Sequence, residues 1–129
     1  YTKGSIVRGE ELDRSVPLFL MPADQLRMGA HVHLLDVGPI HDAFVDVSAQ
    51  GVARQTRFVS GEDYLEPPPS YATLDLDVGG SIDVLGSTTR LTLSVFNILD
   101  ARYRDYLSRY RYFADDPGRN VVLRWHLPF

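Results

Sequence analysis

Apolar and polar residues alternate along most of this chain, the two-residue period of a β-strand with one face in an apolar medium. From Gln25 the apolar set is Leu26, Met28, Ala30, Val32 and Leu34, opposed by Gln25, Arg27, Gly29, His31 and His33. This predicts a strand running to about Val37. Asp36-Val-Gly-Pro-Ile-His-Asp42 supplies a tight Gly-Pro turn, after which Ala43, Val45, Val47 and Ala49 alternate with Asp42, Phe44, Asp46, Ser48 and Gln50. The two segments predict a hairpin. The clearest alternation sets Ala72, Leu74, Leu76, Val78, Ile82 and Val84 against Thr73, Asp75, Asp77, Gly79, Ser81 and Asp83. Beyond a short turn at Leu85-Gly-Ser-Thr-Thr89, a fourth strand places Leu91, Leu93 and Val95 opposite Thr92, Ser94 and Phe96, with Asn97 to Tyr103 read as its extension. The closing strand carries Val121, Leu123, Trp125, Leu127 and Phe129 on one face and Asn120, Arg124 and His126 on the other.

The connections have a rhythm of their own. Tyr1-Thr-Lys-Gly4 reads as a strand end, followed by the polar stretch Arg8 to Arg14 and then Val16-Pro-Leu-Phe-Leu-Met-Pro22. Its two prolines exclude a regular central strand and predict a loop with its apolar end tucked down. Residues 58–70, with Gly61-Glu-Asp-Tyr-Leu-Glu-Pro-Pro-Pro69, and residues 104–118 predict two further long loops. Long and short connections therefore alternate, as in an up-and-down membrane barrel with short periplasmic turns and long extracellular loops. A soluble sandwich distributes its crossings less regularly. The predicted class is all-β: antiparallel up-and-down strands forming part of a large transmembrane β-barrel, with residues 1–129 as one piece.

Composition narrows the alternatives. A chain of 129 residues holds one domain at most. A net charge of −4 gives no reason to expect nucleic acid as a partner. No apolar run approaches the roughly 18 residues of a membrane helix, and a mean hydropathy of −0.14 is what alternating barrel strands give as well as soluble proteins. The absence of cysteine excludes disulfides and thiolate metal sites. A first residue of Tyr1, with no signal peptide, makes the chain read as cut from something longer.

A strand of about eleven residues ending on an aromatic resembles the final strand of a bacterial outer-membrane β-barrel. Asn97-Ile-Leu-Asp-Ala-Arg-Tyr103, then Asp116-Pro-Gly-Arg-Asn120 and the aromatic terminus, resemble more narrowly the C-terminal end of TonB-dependent outer-membrane receptors. Pro17-Leu-Phe-Leu-Met-Pro22 with Leu26-Arg-Met-Gly29 is similar to the approach to an earlier strand of that barrel. The resemblance implies a 22-stranded barrel around a plug, located in the bacterial outer membrane and importing siderophores, metal complexes or similar nutrients with energy from TonB. This chain would supply about five of its strands and lacks the plug and TonB box. It further implies that Val121, Leu123, Trp125, Leu127 and Phe129 are the signal read by the barrel-assembly machinery. Partners would be outer-membrane lipid, the remaining strands or other copies of the chain, and TonB through the full receptor.

Several side chains invite sharper readings. His31 and His33 lie on one strand face about 7 Å apart, close enough to share a metal, but with no third ligand they read as polar residues of a water-filled lumen. Asp75 and Asp77 could be paired catalytic carboxylates; with Asp83 continuing the row they read as the wet wall of a channel. Tyr64, beside Glu62, Asp63 and Glu66, sits on an exposed loop that could touch a ligand but reads as merely solvated. Arg102 to Phe113 interleaves arginine with tyrosine, as single-stranded RNA binders do, and reads instead as an interfacial girdle against lipid headgroups. No cysteine nucleophile, Gly-x-Ser-x-Gly elbow or phosphate-binding glycine loop is present, so neither an enzyme, a cofactor nor a metal is expected. A small self-contained soluble β-barrel or sandwich binding a ligand or protein partner is the alternative.

Overall fold

The computed structural model describes residues 1–127; the expectation for Phe129 lies outside them. The strands are β1 (Thr2–Ser5), β2 (Glu10–Glu11), β3 (Val16–Pro17), β4 (Gln25–His33), β5 (Asp36–Val37), β6 (Ile40–Val52), β7 (Tyr71–Val84), β8 (Ser87–Phe96) and β9 (Asn120–His126). A single turn of 3-10 helix covers Arg109–Tyr112. The main sheet runs β1-β4-β6-β7-β8-β9, every pair antiparallel, with β5 pairing β6 beyond the end of β4. Chain order and sheet order agree from β4 onward, so this is the expected up-and-down arrangement. The sheet is open, with β1 and β9 at its edges.

Register puts each alternating set on a common face. Arg27 pairs Gln50, Gln50 pairs Thr73, and Asp46, Asp77 and Ser94 line up across three strands. On the opposite face Ala30 meets Val47, Val47 meets Leu76, Leu76 meets Val95 and Val95 meets Val121. One extra residue in β6 shifts the register between His41 and Phe44, a bulge at which Asp42 takes a positive φ of 50°. The bulge allows Ile40 as well as Val45 to lie on the apolar face. Gly79 and Gly80 make room for it: a Cβ at Gly79 would stand 2.7 Å from the Phe44 ring, and one at Gly80 would stand 2.4 Å from Ile40 Cγ2.

Burial is inverted relative to a water-soluble domain. The buried apolar residues among those described are Ala23, Ala43, Val52 and Tyr106, whereas Ser48, Gln55, Thr73, Ser81, Thr89, Ser94, Asn97 and Arg111 are buried polar or charged residues. Leu26, Met28, Val32, Val47, Leu91, Leu93, Val121, Leu123 and Trp125 are all exposed. From β4 to β9 this face is about 20 Å wide and some 30 Å long, on the order of 600 Å² in flat projection, at the top of the range soluble monomers leave bare. Along β7 the twelve steps from Ala72 to Val84 span about 40 Å and rise about 28 Å at a 45° tilt, which matches a hydrocarbon band about 25 Å tall.

Three expectations require correction. Asn97 to Tyr103 does not extend the fourth strand, because β8 stops at Phe96 and Asn97 and Asp100 turn the chain with φ of 49° and 51°. The apolar segment after Pro17 is not tucked down; Leu18, Phe19 and Leu20 are exposed, and Val16–Pro17 form a small ribbon with Glu10–Glu11. The strand from Gln25 is interrupted at Leu34 and Leu35, where Leu34 N–H bonds Ala43 O to follow the bulge.

Candidate functional site

The polar face is cross-braced rather than loosely solvated. Asp77 accepts a short hydrogen bond from Ser94 Oγ, which itself accepts from Arg124 Nη1 at 3.1 Å, tying β7, β8 and β9 together. Ser94 is fully buried beneath them. Asp75 accepts from Asn97 N–H at 2.9 Å and lies 3.8 Å from Arg27 Nη2, which donates to Ser48. These bonds satisfy the polar groups that burial would otherwise penalise. His31 Nδ1 lies 3.2 Å from Asp46 Oδ2, and its ring stacks on Phe44 at 5.8 Å. No group of three or more His, Asp or Glu able to hold a metal exists among the described residues. His31 and His33 share an exposed face, and although Asp46 meets His31, the three do not form one ligand group.

Strand direction sends all three long connections, residues 6–24, 53–70 and 97–119, to the same end of the sheet, while the turns at Gly38 and Gly86 lie at the other. The loops interlock there. Gln55 Nε2 donates to the carbonyls of Met21 and Pro22, and Arg8 and Asp24 form a two-pronged pair at 2.6 and 2.8 Å. Arg14 reaches Glu62 at 2.8 Å across the loops. The third loop is closed at its base by Asn97, whose side chain both donates to and accepts from Ala101, while Asp100 Oδ1 accepts from Arg119 N–H. The Asn97-x-x-Asp100 and Pro117-Gly-Arg119 motifs are thus the two halves of one clasp.

At the centre of this cap lies Arg111, only 2% exposed. Its guanidinium carbon sits 4.6 Å from the ring centroids of both Tyr106 and Tyr112, and it donates to Asp63 and to the Tyr112 hydroxyl. Tyr112 Oη donates to Asp63 at 2.6 Å, as does Tyr64 N–H at 2.8 Å. Burial opposes ionisation of Asp63, but the Tyr112 hydrogen bond and the Arg111 charge outweigh it and hold the carboxyl below its usual range. The same hydrogen bond pushes the Tyr112 phenol up. Tyr64 itself is exposed, its ring edge-on to Tyr112 at 6.0 Å.

No protein-family profile, characterised protein or solved structure matches this chain. Function therefore rests on geometry. Sequence reasoning put the acidic loop down as solvated, yet Glu62 pairs with Arg14, Asp63 with Arg111 and Glu66 with Arg54. It also read Arg111 as reaching outward in a girdle; Tyr110 and Phe113 are exposed, but Arg111 turns inward to the neighbouring loop. The buried arginine takes its carboxylate from Asp63 and its ring faces from Tyr106 and Tyr112 of its own loop, and no local sequence signal marks it out from Arg109. Two clefts open near the cap. One of about 470 Å³ lies between Pro67–Pro69 and Arg104, Arg111 and Asp115; the other, of about 300 Å³, lies on the polar face under the clasp.

Proposed function

We propose that residues 1–129 are the C-terminal wall of a TonB-dependent outer-membrane receptor, with three of its extracellular loops and its assembly strand. The observation that carries this is the inverted burial: a sheet whose bare face is aliphatic and whose polar face encloses Ser48, Thr73, Ser81 and Ser94 suits hydrocarbon outside and water inside. Strand lengths of 9 to 14 residues in β4, β6, β7 and β8 suit a membrane crossing. The gathering of long loops at one end suits an extracellular side. Trp125 and Thr89 add a local argument: the indole N–H donates to Thr89 Oγ1 at 2.7 Å, and Thr89 donates to His126 O at 2.6 Å, so the apolar face carries no polar group seeking water there.

In this role the chain supplies no catalysis. It forms membrane wall, shapes the water-filled side through Asp75, Asp77, His31 and His33, and carries loops that meet an incoming siderophore, metal complex or similar nutrient. Four long strands, the seven-residue β9 and a short edge strand cannot close around a pore, so the remaining strands or further copies must cover β1 and β9, whose unpaired backbone groups are costly in lipid. The test is purification with and without mild detergent. β-Rich, folded material only in detergent is the expected result. A monodisperse monomer in plain buffer would overturn the proposal in favour of a soluble ligand-binding β body.

A further inference from the structure

The 300 Å³ cleft on the polar face, just beneath the clasp, brings aromatic rings and polar side chains together. Its aromatic members are Tyr103 and Phe96, and its polar members include Gln50, Thr73, Asp75 and Asn120. Tyr71 stacks on one face of Tyr103 at 4.3 Å with the rings inclined by 22°, which fixes the ring in place while the rest of it borders the cleft. Gln50 donates its amide N–H to Gln25 and keeps its carbonyl oxygen uncommitted among the described residues. Asn120 has no side-chain hydrogen bond among them, and Asp75 has given one oxygen to Asn97 N–H. Donors and acceptors thus converge beside a fixed aromatic ring, at the lower end of the volumes that hold small ligands.

We infer that this cleft binds a neutral, hydroxyl-rich small molecule of the hexose class. Hydroxyls both donate and accept, which matches planar amides and a carboxylate, while the C–H face of a sugar ring covers aromatic carbon. An anion is disfavoured, because the charge lining the cleft among the described residues is the Asp75 carboxylate, and Arg27, 3.8 Å from it, is already paired with that carboxylate. The inference deepens the receptor reading by naming what its water-side wall holds, and it rests on that reading for access from a lumen.

The experiment uses the full chain folded in detergent micelles, titrated with D-glucose and maltose and, as controls, acetate and inorganic phosphate, with binding read by calorimetry or saturation-transfer NMR. Saturable binding of a neutral sugar, absent for the anions, is expected, with the dissociation constant raised several-fold to about tenfold by Asn120→Ala, which removes one hydrogen-bonding partner. Gln50→Ala should act in the same direction. Because Asn120 is an exposed strand residue with no side-chain bonds to lose, a fold check by circular dichroism should pass. No saturable binding up to about 0.1 M sugar, or binding indifferent to both substitutions, overturns the inference. Trp125 fluorescence in the same samples separates the two readings: acyl-chain contact without sugar binding refutes only the ligand, and sugar binding with Trp125 in water refutes only the receptor.

Discussion

Asp63→Ala should open the loop cap while leaving the sheet intact. Asp63 and Arg111 side chains are 9% and 2% exposed, so the substitution strands a guanidinium in a site from which water is largely excluded. Removing one partner of a buried pair costs about 3–5 kcal/mol. The lower end applies, because Tyr106 and Tyr112 still present ring faces to Arg111, each worth up to about 2 kcal/mol when desolvated. A cost of about 3 kcal/mol corresponds to roughly a hundredfold change in the closed-to-open ratio. That change appears as local opening, since the loops can swing away without breaking the β7–β8 ladder. The assay is tryptic cleavage after the exposed Arg109, together with amide exchange at Phe113, whose N–H bonds Tyr110 O at 2.8 Å. Glu62→Ala is the control: its partner Arg14 is more than half exposed, and such a pair is worth about 0–1 kcal/mol. Equal cleavage rates in the two variants would refute the assignment of Arg111 as the pin of the cap.

Three further outcomes follow from the same geometry. Leu76→Arg, on the bare face, should destabilise the membrane-folded chain by about 2–4 kcal/mol, whereas Asp77→Asn keeps an acceptor for Ser94 and should cost about 1 kcal/mol; equal costs in detergent unfolding would contradict the facing. Asn97→Ala removes both bonds to Ala101 and leaves alanine at a φ of 49°, so proteolysis within 98–118 should accelerate by an amount equivalent to about 1–3 kcal/mol, and an unchanged rate would count against the clasp. Cap protection should also depend on pH in a defined way. Asp63 titrates lower in the folded chain, so its contribution is present above about pH 4 and lost as pH falls through the folded value; Tyr112 titrates higher, so its contribution is present below about pH 10 and lost as pH rises through the folded value. Amide exchange of the cap should be flat between these limits, and a transition near neutrality would contradict this assignment.

The strands were legible because their register is written in alternation: a one-residue slip would carry Leu74, Leu76 and Val78 to the wrong face. The bulge at Asp42 was not, since the extra residue sits where His41, Asp42 and Ala43 allow either phase and only Gly79-Gly80, far along the chain, shows that β7 must accommodate it. Asn97 misled for a related reason. Its neighbours Ile98 and Leu99 continue an apolar run, but asparagine tolerates the left-handed conformation, and its side chain closes a loop instead of prolonging a strand. The cap was the least readable part. Arg111 and Asp63 are 48 residues apart, and no local pattern distinguishes the arginine that turns inward from Arg109, which stays exposed. Tyr64 is expected on a loop that could touch a ligand, and it is its neighbour Asp63 that makes the contact, to Arg111 and Tyr112.

The sole tryptophan reports directly on the proposal that the aliphatic face looks outward at acyl chains. Trp125 is 61% exposed on that face, with its N–H already bonded to Thr89. The measurement is fluorescence of the chain folded into lipid vesicles, comparing quenching by brominated acyl chains with quenching by aqueous iodide. Blue-shifted emission, strong bromine quenching and indifference to iodide are expected; emission that iodide quenches and brominated lipid leaves untouched would contradict the claim.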